Sequence, residues 1–351
     1  MNNKEKEQYL RKAISIKIDD KVSINIFNKE EIIAHYQNFP ERLYKYRTVT
    51  DFNLDALENS YIFLSPADKM DDQFECTTNI DIESIYDSNN ETLTSTFVEE
   101  LVDMIDYPST LNKEEMLKLA YSYVNGKKTY DDNVLQKISE ENPDLENPDI
   151  AKEVADHFIQ IATSIWKSES LQKSLKDLFL GAISAKHEQG IGSLAESNKS
   201  QVMWEMYANH YRGYCVEYDF RKSANCLINT FPVIYGDKRK TELVRILVAL
   251  SIEAIVYQMS RKNIKVFDKT LDYIRLFVTK YEEWSFQNEW RILGEKKLKF
   301  NVPKPLAIYM GKKCSKKDKR KLFEIAKKKN IKLYQQKDNM TSLSLEFERI
   351  L

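Results

Sequence analysis

The spacing of apolar residues changes several times along the chain, and each change predicts an element. Over 28–39, NKEEIIAHYQNF sets Ile32, Ile33, Tyr36 and Phe39 at helical intervals before Pro40 stops the run, so residues 1–40 read as a helical lead-in. RLYKYRTV then alternates as a strand does, with Leu43, Lys45 and Arg47 on one side and Tyr44, Tyr46 and Thr48 on the other. NLDALENS predicts a short helix with Asn53 as its N-cap, and YIFLSP a second strand closed by Pro66. From about 82 to 180 the helical period returns in FVEELVDMI, KEEMLKLAYSYV and IAKEVADHFIQIATSIW, broken by Pro143 and Pro148. Gly190 and Gly192, with few large apolar side chains after Ile191, predict a loop over 181–200. VMWEMYANHYRG predicts a helix ended by Gly213, YCVEYDF a strand, and FPVIYGD its hairpin partner. Two amphipathic segments, ELVRILVALSIEAIVYQMSR and TLDYIRLFVTKYEE, come next. The chain closes with strand-like runs WSFQNEWRIL, PLAIYMG and IKLYQQ, a basic helix lying between the last two.

This order implies an α+β fold with a mixed or antiparallel β core. Residues 41–81 and 181–351 would form the core, 1–40 the lead-in, and 82–180 an inserted helical subdomain.

Composition narrows the class. The chain is 42% hydrophobic and 30% charged, and no window approaches the ~18 uncharged apolar residues of a membrane span. The N-terminal MNNKEKEQYLRK has no apolar stretch behind its charges, so a cytoplasmic protein is expected. Cys76, Cys215, Cys226 and Cys314 are scattered without CxxC spacing, and they read as free thiols. The net charge of -1 conceals two opposed regions: residues 71–156 carry 22 Asp/Glu against 6 Lys and no Arg, while 311–332 carry 11 Lys/Arg against 2 acids. The basic segment either faces a polyanion such as RNA or DNA or the phosphates of a nucleotide, or is an exposed helix that solubilises the surface or docks on the acidic segment of the same chain.

Candidate chemistry concentrates on the strand-like segments. If 284–293 is a strand, Gln287, Glu289 and Arg291 share one face, which would line a cleft, and Phe286, Asn288, Trp290 and Ile292 share the other. Arg291 would pair with a neighbouring carboxylate. Arg47 at a strand end could fork onto a phosphate, Ser65 lies at another strand end, and His210 is the best placed of the 4 histidines to act as a base. Asp68, Asp71, Asp72 and Glu75 form a carboxylate-rich turn, but their spacing is not that of a calcium loop, and no metal site is assigned. Phosphate-cradling glycine motifs and a nucleophile elbow are both missing.

Taken together, LYKYR, NLDALENSYIFLSPADKMDDQFEC, MWEMYANHYRGYCVEYD and W-x-x-x-N-E-W-R followed by IYMG resemble, in the same order, a widespread bacterial family of unknown function. The chain departs from that family's FNDPFE at Met70-Asp71-Asp72-Gln73-Phe74-Glu75, and from its ExE at Gln287-Asn288-Glu289. The order of motifs is in turn similar to that of ADP-ribosyltransferases. That resemblance implies NAD as the substrate cofactor, with Glu289 steadying an oxocarbenium-like ribose and Gln287 positioning the acceptor; His210 is kept from the reading of the residues as the candidate base. Arg47, Ser65, Tyr46 and Tyr207 would bind the dinucleotide. It further implies an effector of the toxin or phage-defence kind that modifies a nucleic acid or protein and has an antitoxin or regulatory partner. Two other readings stand beside it: a nucleic-acid-binding or nuclease-type module using the basic segment and aromatic strands, and a ligand-sensing interaction protein in which Trp204, Tyr207 and His210 merely pack.

Overall fold

A computed structural model describes residues 1–19, 39–70, 187–236, 270–339 and 344–351, with scattered helical positions between 95 and 181. The chain divides into two compact units. One comprises Met1–Thr77, Ala185–Asp237 and Ile274–Leu351, the other Thr78–Ser184 and Lys238–Tyr273. The three helical runs expected over 82–180 fall almost wholly outside the described residues, as do the acids of the turn after Met70 and most of NKEEIIAHYQNF.

The first unit is built on a nine-stranded sheet, mixed but mostly antiparallel. Its strands are β1 (Leu43–Arg47), β3 (Ser65–Pro66), β4 (Gln189–Ala195), β5 (Tyr214–Tyr218), β6 (Thr230–Pro232), β9 (Glu289–Glu295), β11 (Ala307–Met310), β12 (Lys332–Asn339) and β13 (Ser344–Arg349). The spatial order is β13-β12-β11-β5-β1-β4-β9-β6, with β3 also paired to β4. Only β11 and β12 run parallel within it. A parallel pair needs a crossover, and helix α6 (Lys316–Lys329) supplies it. Two small pairs complete the strands, β2 (Tyr61–Phe63) with β10 (Lys299–Asn301) and β7 (Ile234–Tyr235) with β8 (Thr279–Lys280). Among the described residues the other continuous α-helices are α1 (Asn3–Asp19), α2 (Asp51–Glu58), α3 (Gln201–Tyr207), α4 (Ala224–Ile228) and α5 (Thr270–Val278).

The structure corrects four expectations. Residues 189–195 form a central strand instead of a loop, because the glycines that suggested a loop are sites of close approach. A Cβ at Gly190 would lie 2.4 Å from the Glu295 carbonyl oxygen, and one at Gly192 would lie 2.8 Å from Leu64 Cδ2. FPVIYGD does not pair with YCVEYDF: both edges of β5 are taken by β1 and β11, and β6 pairs with β9 instead. Residues 284–293 are not one strand, since Glu282–Gln287 is a 3-10 helix and Asn288, at φ 40, turns the chain into β9. Thr50, not Asn53, caps α2, accepting from the Asn53 N–H.

Paired residues on neighbouring strands share a face. Tyr44, Ala195 and Glu289 therefore form one row across β1, β4 and β9, with Ser193 and Arg291 in register beside it. Helix α3 covers part of this face, its Trp204 meeting Tyr46 edge-to-face at 5.3 Å. On the opposite face Trp290 is buried against Tyr9 and Phe39, at 5.3 and 4.9 Å. Helix α6 buries Leu322, Ile325 and Ala326 and places Lys321 3.0 Å from Asp51 and Lys328 2.5 Å from Glu58 on α2. Part of the basic segment is thus spent within the chain.

Candidate functional site

Glu289 begins β9, where the left-handed residue Asn288 delivers it from the 3-10 helix into the sheet. Its side chain is almost fully buried, and a bare carboxylate cannot be left there without partners. Arg291, two residues on and on the same face, donates from Nε to Glu289 Oε1 at 2.9 Å and from Nη2 to Oε2 at 3.2 Å. Lys280, buried on β8, donates to Oε2 at 3.2 Å and to Gln287 Oε1 at 2.8 Å. Gln287 in turn donates to the Tyr207 hydroxyl at 2.7 Å. The Glu289 backbone N–H donates to the Tyr235 hydroxyl at 2.8 Å. Burial, with the nearby Glu289 carboxylate adding to it, holds the Tyr235 phenol well above its ordinary pKa.

This network forms one wall of a cleft lined also by Tyr44, Lys45, Tyr46, Met70, Ser193 and Met203. The cavity is about 70 Å³, open on one side, room for a few waters or the end group of a larger ligand. A carboxylate offers about four lone-pair positions. Arg291 and Lys280 occupy three of them on Glu289, leaving capacity for one donor entering the cleft. The Tyr46 hydroxyl donates to the Ser197 carbonyl at 2.8 Å, and burial raises its pKa strongly. The Tyr44 phenol is pushed up to about 12, first by burial and then by the Glu217 carboxylate.

Of the residues singled out in the sequence, Tyr46, Tyr207, Gln287 and Glu289 come together at this cleft. Gln287 arrives there from the 3-10 helix and not by strand alternation. Arg47, Ser65 and His210 do not line it. Arg47 has the opposite strand parity from Tyr44 and Tyr46, and its Nη1 donates to Asn53 Oδ1 at 2.8 Å on the far face of the sheet. Ser65 pairs with Ile191, four residues along β4 from the Ala195–Glu289 row, about 13 Å at strand spacing. His210 lies exposed in a left-handed turn after α3, its Nδ1 2.6 Å from Glu205 Oε1. That hydrogen bond is the largest influence holding the Glu205 carboxyl below its ordinary pKa.

The sequence reading missed Lys280 and Ser193. Lys280 is buried because β7 and β8 pair Tyr235 with it, a long-range contact with no local signature. Ser193 was hidden by the loop assignment of its strand. Among the described residues no three His, Cys, Asp or Glu side chains gather as a metal site, and no helix is long and apolar enough to cross a membrane. Cys215, Cys226 and Cys314 are buried free thiols.

Residues 203–292 match a family described as "Protein of unknown function (DUF2971)". That span contains Tyr207, Tyr235, Lys280, Gln287, Glu289 and Arg291, and excludes Arg47 and Ser65. No curated protein and no solved structure matches the chain.

Proposed function

We propose that the Glu289 cleft carries out ADP-ribosyl transfer from NAD to a macromolecular acceptor. The observation that supports it most is a buried Glu289 side chain that lines a small cleft while Arg291 and Lys280 donate three hydrogen bonds to it. In this reading only the nicotinamide–ribose end of the dinucleotide enters, between the Tyr44 and Tyr46 rings and Glu289. The nicotinamide N–C1′ bond breaks, its electron pair leaves on the nicotinamide nitrogen, and Glu289 steadies the positive charge that develops on the ribose. A lone pair of the acceptor then closes on C1′, and the acceptor's proton passes to Glu289. Gln287, fixed by Lys280 and Tyr207, orients the acceptor. Ser193, on the strand between β1 and β9, takes the dinucleotide-binding role expected of Ser65, and Lys280 supplies the cation at the cleft in place of Arg47.

The test is release of nicotinamide from NAD by the full chain, with nucleic-acid and protein acceptors, compared with Glu289→Gln. Release by wild type that falls at least about a hundredfold in the variant is expected, the usual scale for removing a group that stabilises charge in the transition state. No release with any acceptor, or equal release by the variant, overturns the transfer reading.

A second reading has its own support. Three charge-assisted bonds already satisfy most of Glu289, which suits a fixed wall of a ligand-sensing pocket as well as a catalyst. A thermal shift on adding NAD without any nicotinamide release is the result expected of such a pocket.

A further inference from the structure

A second feature lies on the cleft face of the same sheet. Tyr309 pairs with Cys215 and with Tyr334, and Cys215 pairs with Tyr46, so all three tyrosines share that face. Tyr309 and Tyr334 stack at 4.9 Å and 14°, Phe347 meets Tyr309 edge-on at 4.8 Å, and Tyr44 approaches it at 6.4 Å. All four rings are only half-buried. From β1 through β5 and β11 to β12 the row spans about 14 Å at strand spacing. Tyr44 at one end also lines the cleft.

At the other end, Tyr334 pairs with Arg349 and lies two residues after Lys332. Both cations line a groove of about 450 Å³ that includes Lys222 and Lys304 and no Asp or Glu side chain. None of Lys222, Lys304 and Lys332 forms an ion pair with a described residue. The carboxylates on the intervening face are already occupied: Glu217 by Arg42 at 2.9 Å and by the Tyr309 hydroxyl at 2.5 Å, and Asp338 by Lys312 at 2.7 Å. Glu346 and Glu348 on β13 alternate with Phe347 and fall on the opposite face.

We infer that the aromatic row and the basic groove together bind single-stranded nucleic acid and lead it toward the Glu289 cleft. Four cations with no Asp or Glu side chain among them, three of them without an ion pair to a described residue and Arg349 donating from Nε to the Leu351 oxygen at 2.9 Å, suit backbone phosphates. Half-exposed rings suit bases whose faces are free, which a duplex does not offer. The inference deepens the transfer reading by naming the acceptor class, and it rests on that reading only for the chemistry, because binding is measured without NAD.

The experiment is fluorescence anisotropy of labelled single-stranded DNA and RNA oligonucleotides and of a duplex, on the full chain without NAD. Single strands are expected to bind at least about tenfold more tightly than duplex. Their affinity should fall steeply with salt, with a log–log slope of roughly -3 for four phosphate contacts. Lys222→Glu/Lys304→Glu, both exposed and away from the core, should reduce the slope magnitude by about 1.4. Tyr334→Leu, which retains apolar bulk, should weaken binding about tenfold or more with the slope unchanged, as loss of base stacking requires. Equal binding of duplex, equal binding of an acidic peptide, or charge and ring variants that bind as wild type would overturn the inference. Oligonucleotide binding by a wild-type chain that releases no nicotinamide with any acceptor leaves the track standing while the transfer reading falls. Release of nicotinamide with no oligonucleotide binding does the reverse.

Discussion

The Glu289 cleft and the Lys304 groove belong to one sheet and one compact unit, yet they handle charge in opposite ways. In the cleft Glu289, Arg291 and Lys280 are almost wholly removed from water, and each is bonded to another member of the set. In the groove Lys222, Lys304, Lys332 and Arg349 remain exposed, with no carboxylate side chain among the lining residues. The volumes follow the same division, about 70 Å³ against about 450 Å³. Buried charges must be neutralised for the chain to fold, so their partners are fixed and their geometry is preorganised. Hydrated cations cost little to leave open and can exchange small counterions for a polyanion. The first arrangement suits chemistry or close discrimination on a small group, and the second suits holding a large charged one.

The sharpest way to break this contrast is to delete one cation from each region. Arg291→Ala leaves the buried Glu289 carboxylate with Lys280 alone and should destabilise the fold by about 3–5 kcal/mol. Arg349→Ala in the groove should stay within about 0.5 kcal/mol. Urea unfolding of the two variants measures both, and similar losses would mean that the groove cation is structural.

A smaller effect is expected at the edge of the network. Tyr235→Phe removes the hydroxyl that accepts from the Glu289 backbone N–H and leaves that donor buried without its partner. A cost of about 1–3 kcal/mol follows. It should appear as a lower unfolding midpoint with an unchanged denaturant slope. No change would show that the Glu289 N–H has another acceptor.

How legible these regions were in the sequence follows from the range of the contacts that make them. Alternation located β1, β11 and β12, and the basic helix between the last two was visible from its charge and punctuation. Glu289 stood out locally as an acid on an aromatic strand, Gln287, Tyr46 and Tyr207 entered through the resemblance, and the four do meet. The loop assigned over 181–200 failed because glycine carries two meanings, a turn or a close approach, and only the positions of Leu64 and Glu295 decide between them. Arg47 was selected for its type at a strand end, and its alternation with Tyr46 already put it on the other face. Lys280 could not be found locally, since its burial depends on pairing with Tyr235 45 residues earlier. The groove is harder still to read. Lys222, Lys304, Lys332 and Arg349 come from four separate segments, and most of the dense basic run 311–332 points elsewhere or is paired with α2.

The smallest effect expected is a titration, and it tests whether the cleft wall is as closed as its bonding implies. Burial raises the phenols of Tyr44, Tyr46 and Tyr235, Tyr44 to about 12. In the unfolded chain they would ionise near about 10. A folded pKa above the unfolded one means that the folded chain holds more protons between those values. The stabilising contribution is therefore complete below about pH 10 and is lost as the pH rises toward the folded values. The difference in tyrosinate absorbance between wild type and Tyr44→Phe should show no Tyr44 ionisation near pH 10 while the circular dichroism stays native, and that ionisation should come only toward about pH 12 or with loss of the fold. Ionisation of Tyr44 near pH 10 in the folded chain would show that water reaches its hydroxyl freely. The cleft would then be open where it borders the aromatic row, and its difference from the groove would be one of charge pairing alone.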